Sequence, residues 1–210
     1  KAEAQNGQLA VDMLYTAPIA FQRLKLEGAY IKNKDLLEID DFTLVDDQDT
    51  SINITGSVKG IEGQDPVLDL DMFAQSALLN GYFNYLPDAQ IPKTYAWLKH
   101  SFNEEVVKVG DLTARMKGPL SEFPFLEGQE NLLEVSFSFQ DATIAFLENT
   151  PPGTNLNGRF RMRGNNLYAQ AESGRLSNQD VSDIKVAITG LFQKPEHAVL
   201  QVDATAKGPI

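Results

Sequence analysis

The sequence predicts a mainly β protein, with about 14 strands and two short helices. Alternation of apolar and polar residues dominates most of the 210 residues. One nonapeptide of this kind, ending in Lys-Gly-Pro and a further apolar residue, occurs twice, at 112–120 and at 202–210. Apolar residues recur at helical spacing only around 77–102. Because an open sheet of more than about ten twisted strands curls or splits, a flat sheet is excluded.

The first 75 residues contain short alternating segments, each of which we predict to be a strand. Their apolar positions are Leu9, Val11, Met13 and Tyr15; Leu24 and Leu26; Leu37 and Ile39; Phe42 and Leu44; Ile52, Ile54 and Val58; and Leu68, Leu70 and Met72. Asp69 and Asp71 separate the last three, as expected of a strand with one buried face. We therefore assign 1–75 to one segment of β-sheet.

The hydrophobic period changes over 76–105. Leu79, Tyr82 and Leu86 recur at helical spacing. Pro92 suits the first position of a second helix, because the N–H at that position has no partner within the helix. We predict two short helices here, forming an insert between two parts of the sheet.

Alternation resumes over 106–210, which we assign to a second segment of sheet that continues the first. Its apolar positions are Leu112, Ala114 and Met116; Leu133, Val135, Phe137 and Phe139; Ile144 and Phe146; Phe160 and Met162; Leu167, Ala169 and Ala171; Ile184, Val186 and Ile188; and Leu200, Val202, Ala204 and Ala206. The predicted strand in each nonapeptide ends at its Lys-Gly-Pro corner, because proline lacks the N–H that a ladder needs. Arg159, Arg161 and Arg163 alternate with apolar residues, and we expect them to face water.

Composition and charge exclude several classes of function. The net charge of −11 argues against binding to nucleic acid, because phosphates favour clustered lysine and arginine. The absence of cysteine excludes disulfides, thiolate metal sites and a cysteine nucleophile. No apolar run approaches the roughly 18 residues that cross a bilayer. We expect the sequence to be a piece of a longer protein, since it starts at Lys1 and stops just after a strand.

The sequence offers little for catalysis or for a cofactor. His100 and His197 are far apart in the chain, and there is neither a nucleophile elbow nor a glycine-rich phosphate loop. The acidic residues at 40–49 do not fit a calcium-binding EF-hand, because Ile52 occupies the position that requires glycine. A solvated turn is expected there, with a loose surface calcium site as the alternative. We predict a protein without enzymatic activity, cofactor or built metal site.

Four segments in a fixed order carry a family resemblance. They are YLPDAQIPKTYAWL at 85–98, GDLTARMKGPLSEFPF at 110–125, VSFSFQDATIAF at 135–146 and NLNGRFRMRGNNLYAQAESGRL at 155–176. This series resembles the AsmA-like periplasmic proteins of Gram-negative bacteria, in particular those of the YhdP and TamB type. The resemblance covers about 75–210 and departs from the family pattern at Thr150, where many relatives carry tryptophan before the proline.

The resemblance implies a long, curled antiparallel sheet with a taco-like cross-section and a repeating apolar groove. It implies a periplasmic bridge between the inner and outer membranes, along which phospholipid acyl chains move during outer membrane biogenesis. It also implies an anchor in the inner membrane, and contacts with components of both membranes, through parts of the protein outside this piece.

The predicted groove lining is the apolar side of the strands. It consists of Ile52, Ile54, Leu68, Leu70, Met72, Leu112, Met116, Leu133, Val135, Phe137, Phe139, Ile144, Phe146, Phe160, Met162, Leu200 and Val202. Four aromatic residues of the insert either cover the groove as a lid or plug the end of the core: Tyr82, Phe83, Tyr95 and Trp97.

Alternation alone does not separate a groove from a filled core, because the same pattern builds β-sandwiches. The resemblance favours the groove. The alternative is a structural or adhesin-like module of β-repeats that binds protein and has a filled interior. A third possibility is a hydrolase whose active site lies in another part of the protein.

Overall fold

The computed structural model describes residues 1–12, 14–63, 65–75, 79–102, 108–123, 125, 131–145, 151–190 and 199–207. The strands are β1 (Ala2–Leu9), β2 (Ile19–Ile31), β3 (Leu36–Val45), β4 (Ser51–Lys59), β5 (Val67–Gln75), β6 (Lys108–Val109), β7 (Leu112–Pro119), β8 (Leu132–Ile144), β9 (Gly153–Arg163), β10 (Asn166–Leu176), β11 (Gln179–Thr189) and β12 (Val199–Lys207). The helices are α1 (Leu79–Phe83) and α2 (Pro92–Ser101), with short 3-10 turns at Lys32–Lys34 and Leu120–Glu122. Within these ranges, no helix is both long and apolar enough to cross a bilayer.

The twelve strands of the described ranges form one antiparallel sheet. Along its main path the order is β1-β2-β3-β4-β5-β7-β8-β9-β10-β11-β12, and β6 pairs with β8 beside this path. The predicted long antiparallel sheet with a short helical insert is confirmed, and the described residues contain twelve strands against the predicted total of about 14. Both helices lie between β5 and β7. The division of the chain into three parts at 75 and 106 stays a prediction.

Irregular pairing curls this sheet. Register shifts occur in the pairs β2–β3, β3–β4, β8–β9, β9–β10 and β11–β12. A bulge bends the strand that carries it and increases the local twist. At Gly56 the backbone φ is +131°, and a Cβ atom would lie 2.1 Å from the Asp69 carbonyl oxygen. Only glycine therefore allows β4 to approach β5 so closely.

The first predicted strand is misplaced. β1 covers Ala2–Leu9, and a turn follows it, in which the N–H groups of Leu14 and Tyr15 both donate to the Val11 carbonyl, at 2.8 and 3.0 Å. Met13 lies outside the described residues. The alternation of apolar residues in this region thus belongs to a turn, because its backbone bonds close locally.

The two short strands predicted around Leu37 and Phe42 are one strand, β3. Opposite β4, the register shifts between Ile39 and Phe42. Those two residues are three apart, so a regular strand would place them on opposite faces. The bulge between them returns Phe42 to the same face as Ile39, which is why alternation appeared to stop and restart.

The core lies on one face of the sheet, which we call the inner face, beneath the helical insert. Tyr82 and Phe83 of α1 are 4% and 5% exposed and join the buried residues of β4–β11 in one cluster. The Tyr82 hydroxyl lies 3.1 Å from the Ala74 carbonyl oxygen and 3.2 Å from that of Gly110, so it ties α1 to the sheet. The Ala145 N–H donates to the Ser101 carbonyl at 2.8 Å, which ties down the end of α2.

Candidate functional site

Apolar residues of the inner face form rows that run across the strands. The central row takes one residue from each successive strand of the path: Leu26, Phe42, Ile54, Met72, Ala114, Val135, Met162, Leu167, Ile188 and Leu200. Each residue is the registered partner of the next. Because neighbouring strands lie about 4.8 Å apart, this row is roughly 43 Å long. The inner face therefore carries an apolar path at right angles to its strands.

A second row runs beside the central one, and we call it the helix-side row. Its members are Leu24, Leu44, Ile52, Ala74 and Leu112, and, beyond β7, Phe137, Phe160, Ala169, Val186 and Val202. The rings of Phe137 and Phe160 stack with their centroids 4.6 Å apart. Continuous apolar contact thus crosses the strand boundary between β8 and β9.

The insert covers the two rows to different extents. In the helix-side row, Ile52, Ala74 and Leu112 are at most 7% exposed. In the central row, Ile54 and Met162 are half-buried. The central row is therefore half-buried at most of its positions but buried at Ala114 and Leu167, whereas the helix-side row is closed where it crosses β4, β5 and β7.

Beneath α2 the inner face is filled. A cavity of about 20 Å³ remains there, lined by Trp97, Phe102, Phe139, Ile144, Phe160, Leu167, Ala169, Val186 and Ile188. This volume has room for about one water molecule and none for an acyl chain. Tyr82 and Phe83 are part of the packed core, whereas Tyr95 and Trp97 are only half-buried against it. Whether these four residues act as a lid stays a prediction.

The predicted lining residues within the described ranges lie on the strands of this sheet, with different burial. Buried in the structure are Ile52, Leu70, Leu112, Leu133, Phe139, Ile144 and Phe160; half-buried are Ile54, Leu68, Met72, Met116, Val135, Phe137 and Met162; exposed are Leu200 and Val202. Phe146 lies outside the described residues. A lining role for the set stays a prediction, and the half-buried members are the ones that the structure leaves accessible.

Sequence reasoning left five members of the central row out of the predicted lining: Leu26, Phe42, Ala114, Leu167 and Ile188. Alternation had marked all five as apolar strand positions. Only the pairing of distant strands shows that they share one row with Met162.

The opposite face of the sheet is polar, and its charges pair across strands. Arg115 of β7 contacts Asp69 and Asp71 of β5, with the Asp71 contact at 2.9 Å. Arg161 lies 3.0 Å from Glu134 on β8. The predicted exposure of the arginine row is confirmed, since Arg161 and its neighbours at 159 and 163 face water.

This polar face is also concave over β7–β12, where it encloses about 840 Å³. Arg159, Arg161 and Lys185 line the concavity together with Asp111 and Asp203. Lys185 and Asp203 are registered partners on adjacent strands. Charges of both signs therefore line this surface.

The acidic turn between β3 and β4 is built around Asp46, which is 4% exposed. One carboxylate oxygen of Asp46 accepts hydrogen bonds from the N–H groups of Gln48 and Thr50, at 2.9 and 2.8 Å. The other accepts the Tyr85 hydroxyl at 2.9 Å. Asp46 therefore stabilises its own turn and connects it to the helical insert. Within the described ranges, no group of three or more histidine, cysteine, aspartate or glutamate side chains is placed to hold a metal ion.

The family model described as the YhdP protein matches residues 1–210. No curated protein and no solved structure matches the chain.

Proposed function

Because the chain belongs to the YhdP protein family, we propose that it is a segment of a periplasmic bridge that transfers phospholipid between the inner and outer membranes along the inner face of its sheet. The family is one of transport proteins of the AsmA-like type rather than of enzymes. The observation that carries the proposal is the central row, which is apolar, half-buried at most of its positions and continuous from β2 to β12.

The energetics of lipid movement support this role. Exposing an acyl chain to water costs about 0.8 kcal/mol for each methylene. A carrier between two membranes therefore needs an unbroken apolar path, and no catalytic group. A row that gains one apolar residue with every added strand meets this need, and roughly 43 Å of it lies in this segment. Phospholipid acyl chains are the proposed partners along the row.

The proposed location follows from the same role. A bridge of this kind occupies the periplasm and is anchored in the inner membrane through a part of the protein outside this segment. Components of the two membranes would contact such other parts, and the segment itself would contribute the path between them.

A specific observation favours the second candidate, a structural β-repeat module that binds protein. The inner face beneath α2 is packed around a cavity of only about 20 Å³. If the whole inner face closed in this way, lipid would have no access. The two candidates therefore differ in whether the central row is open to a ligand.

Site-specific photocrosslinking distinguishes them. A photoreactive amino acid at Met162, in the full-length protein in cells, is expected to capture phospholipid because this side chain lies half-buried on the inner face. The matched control is Arg161, the preceding residue, which points to the polar face. Equal capture at both positions, or capture at neither, would contradict the groove.

A further inference from the structure

A separate cavity of about 280 Å³ lies where the loop between β1 and β2, the turn between β3 and β4 and the helical insert meet. Four aromatic residues are among those that line it, Tyr15, Phe83, Tyr85 and Tyr95. Three carboxylates, those of Asp46, Asp47 and Asp88, line the same space, and no lysine or arginine does so within the described part of the chain. The cavity is thus aromatic and negatively charged.

Hydrogen bonds between distant segments hold this cavity in shape. The Tyr15 hydroxyl donates to the Tyr85 carbonyl at 3.2 Å, and the Tyr85 hydroxyl donates to Asp46 at 2.9 Å. The Thr16 N–H donates to Asp88 at 2.9 Å, and the Thr16 hydroxyl donates to the other oxygen of that carboxylate. Two of the three carboxylates are therefore fixed by the frame before any ligand arrives.

The third carboxylate, that of Asp47, is not held in place by hydrogen bonds. It is exposed and has no hydrogen bond or ion pair with any other residue that the structure describes. Its charge is therefore available to a ligand in the cavity and is not part of the frame.

We propose that this cavity binds a small organic ammonium group, either a primary amine or a quaternary ammonium. Aromatic faces attract such cations, and several rings around one cavity are the usual way in which proteins recognise quaternary ammonium. The carboxylates add charge complementarity and repel anions. The volume of about 280 Å³ lies just below the range of about 300–1,000 Å³ for ligand pockets, so it suits a head group rather than a whole lipid.

One ring of the cavity wall already has a cation beside it. The Lys99 ammonium lies 5.4 Å from the centre of the Tyr95 ring, so one face of this ring is already taken and a ligand would have to use the other. A hydrated metal ion fits the site less well, because apolar residues such as Ile19 and Leu86 form part of the wall. The favoured ligand is therefore a cation that carries carbon substituents.

Two sources could supply this ammonium group, a lipid head group or a soluble amine. The cavity adjoins the inner face, since Phe83, Tyr85 and Tyr95 also pack on the core cluster. A phospholipid on the central row could therefore place an ethanolamine head at the cavity. This lipid source rests on the proposed function, whereas binding of a soluble amine does not.

The test begins with the 210-residue chain and NMR of its labelled tyrosine rings. Choline and ethanolamine are expected to shift the Tyr95 resonance with saturation, and 3,3-dimethylbutanol, a neutral molecule of the same shape as choline, is not. Absence of a saturable shift with either amine, or an equal response to the neutral analogue, would overturn the proposal.

Two pairs of variants localise the binding. Asp47→Asn is expected to weaken choline binding roughly threefold to tenfold. Asp49→Asn, a matched charge change in the same turn but outside the cavity wall, is expected to leave binding unchanged. Tyr95→Phe keeps the ring and should keep binding, whereas Tyr95→Leu should weaken it. If the two aspartate variants, or the two Tyr95 variants, changed choline affinity equally, the amine would bind elsewhere and the proposed site would be wrong.

Short-chain phosphatidylethanolamine and phosphatidylglycerol then separate the two sources. A Tyr95 shift with the first lipid and none with the second assigns the site to a lipid amine. A response to choline and ethanolamine alone assigns it to a soluble amine, and the ammonium site stands in either case. If amines bind but Met162 captures no phospholipid, the proposed transfer function fails and the ammonium site survives.

Discussion

At the scale of single residues, the hydroxyl groups of Tyr15 and Tyr85 connect segments that are far apart in the sequence. Tyr15 follows β1, Tyr85 lies between the helices, and Asp46 begins the turn after β3. Burial, followed by the charge of Asp88, raises the pKa of Tyr15 to about 12. Burial, followed by the hydrogen bond to Asp46, also raises the pKa of Tyr85. Both hydroxyls therefore stay protonated in the folded protein beyond the pH at which they ionise in the unfolded chain.

These shifts predict a loss of stability at alkaline pH. The unfolded tyrosines ionise near pH 10, so the free energy of unfolding should fall as the pH rises from about 10 toward 12. For Tyr15 alone, a folded-state pKa of about 12 against about 10 in the unfolded chain corresponds to roughly 3 kcal/mol of stability. Urea unfolding at several pH values measures this loss. Tyr15→Phe should flatten the alkaline decline relative to the unchanged protein, and an unaltered slope in this variant would contradict the explanation.

At the scale of elements, the insert determines which part of the inner face is filled. Helix α2 begins at Pro92, and its Trp97 lies over the small cavity formed with residues of β8–β11. Helices this short gain little stability from their own hydrogen bonds, so packing against the sheet must hold them. The insert is therefore an element whose position depends on a few large side chains.

Trp97→Ala tests that dependence. Removing a half-buried tryptophan should lower the free energy of unfolding by about 2 kcal/mol, less than the 3–5 kcal/mol typical of a fully buried one. If the insert covers a lipid path, the same variant should also carry more copurified phospholipid in native mass spectrometry. His100→Ala, an exposed position on the same helix, is the control. A stable variant with unchanged lipid content would show that Trp97 neither anchors the insert nor restricts the inner face.

At the scale of the whole molecule, a single sheet presents one apolar path on one face and paired charges on the other. The central row reaches β12 at Leu200, which is 39% exposed, beside Val202 at 57%. An exposed apolar edge favours pairing with a further strand. Each strand that joined this edge would lengthen the central row by one residue, and the inner face would remain apolar.

A charge placed in the central row should block the proposed path without unfolding the sheet. Ile54→Asp alters a half-buried side chain, so its cost should be about 1–3 kcal/mol. Lipid transfer in cells that depend on this protein should be lost. Thr55→Asp introduces the same charge one residue along, on the polar face, and transfer should persist. Transfer that survives Ile54→Asp in folded protein would exclude the central row as the path.

Much of the fold could be predicted from the sequence because strand alternation and helical spacing are local properties. Alternation identified most strands, including the β5 pattern of Leu68, Leu70 and Met72. Alternation failed to identify β3 as one strand, because the bulge after Ile39 changes which residues point to the inner face. A bulge depends on the partner strand, so it leaves no signal in the alternation itself. Alternation also failed at the first strand, where a turn replaced the predicted alternation.

By itself, the sequence determined that this protein is mainly β, that its sheet has an apolar face, and that helices interrupt it. Tertiary structure alone decided that the central row stays partly open while Phe139 is buried beneath the insert. It also decided that Tyr15, Asp46 and Tyr85 border one cavity. The physical reason is that periodicity reports which way each side chain points, whereas openness and proximity depend on strand register and on docking between segments far apart in the chain.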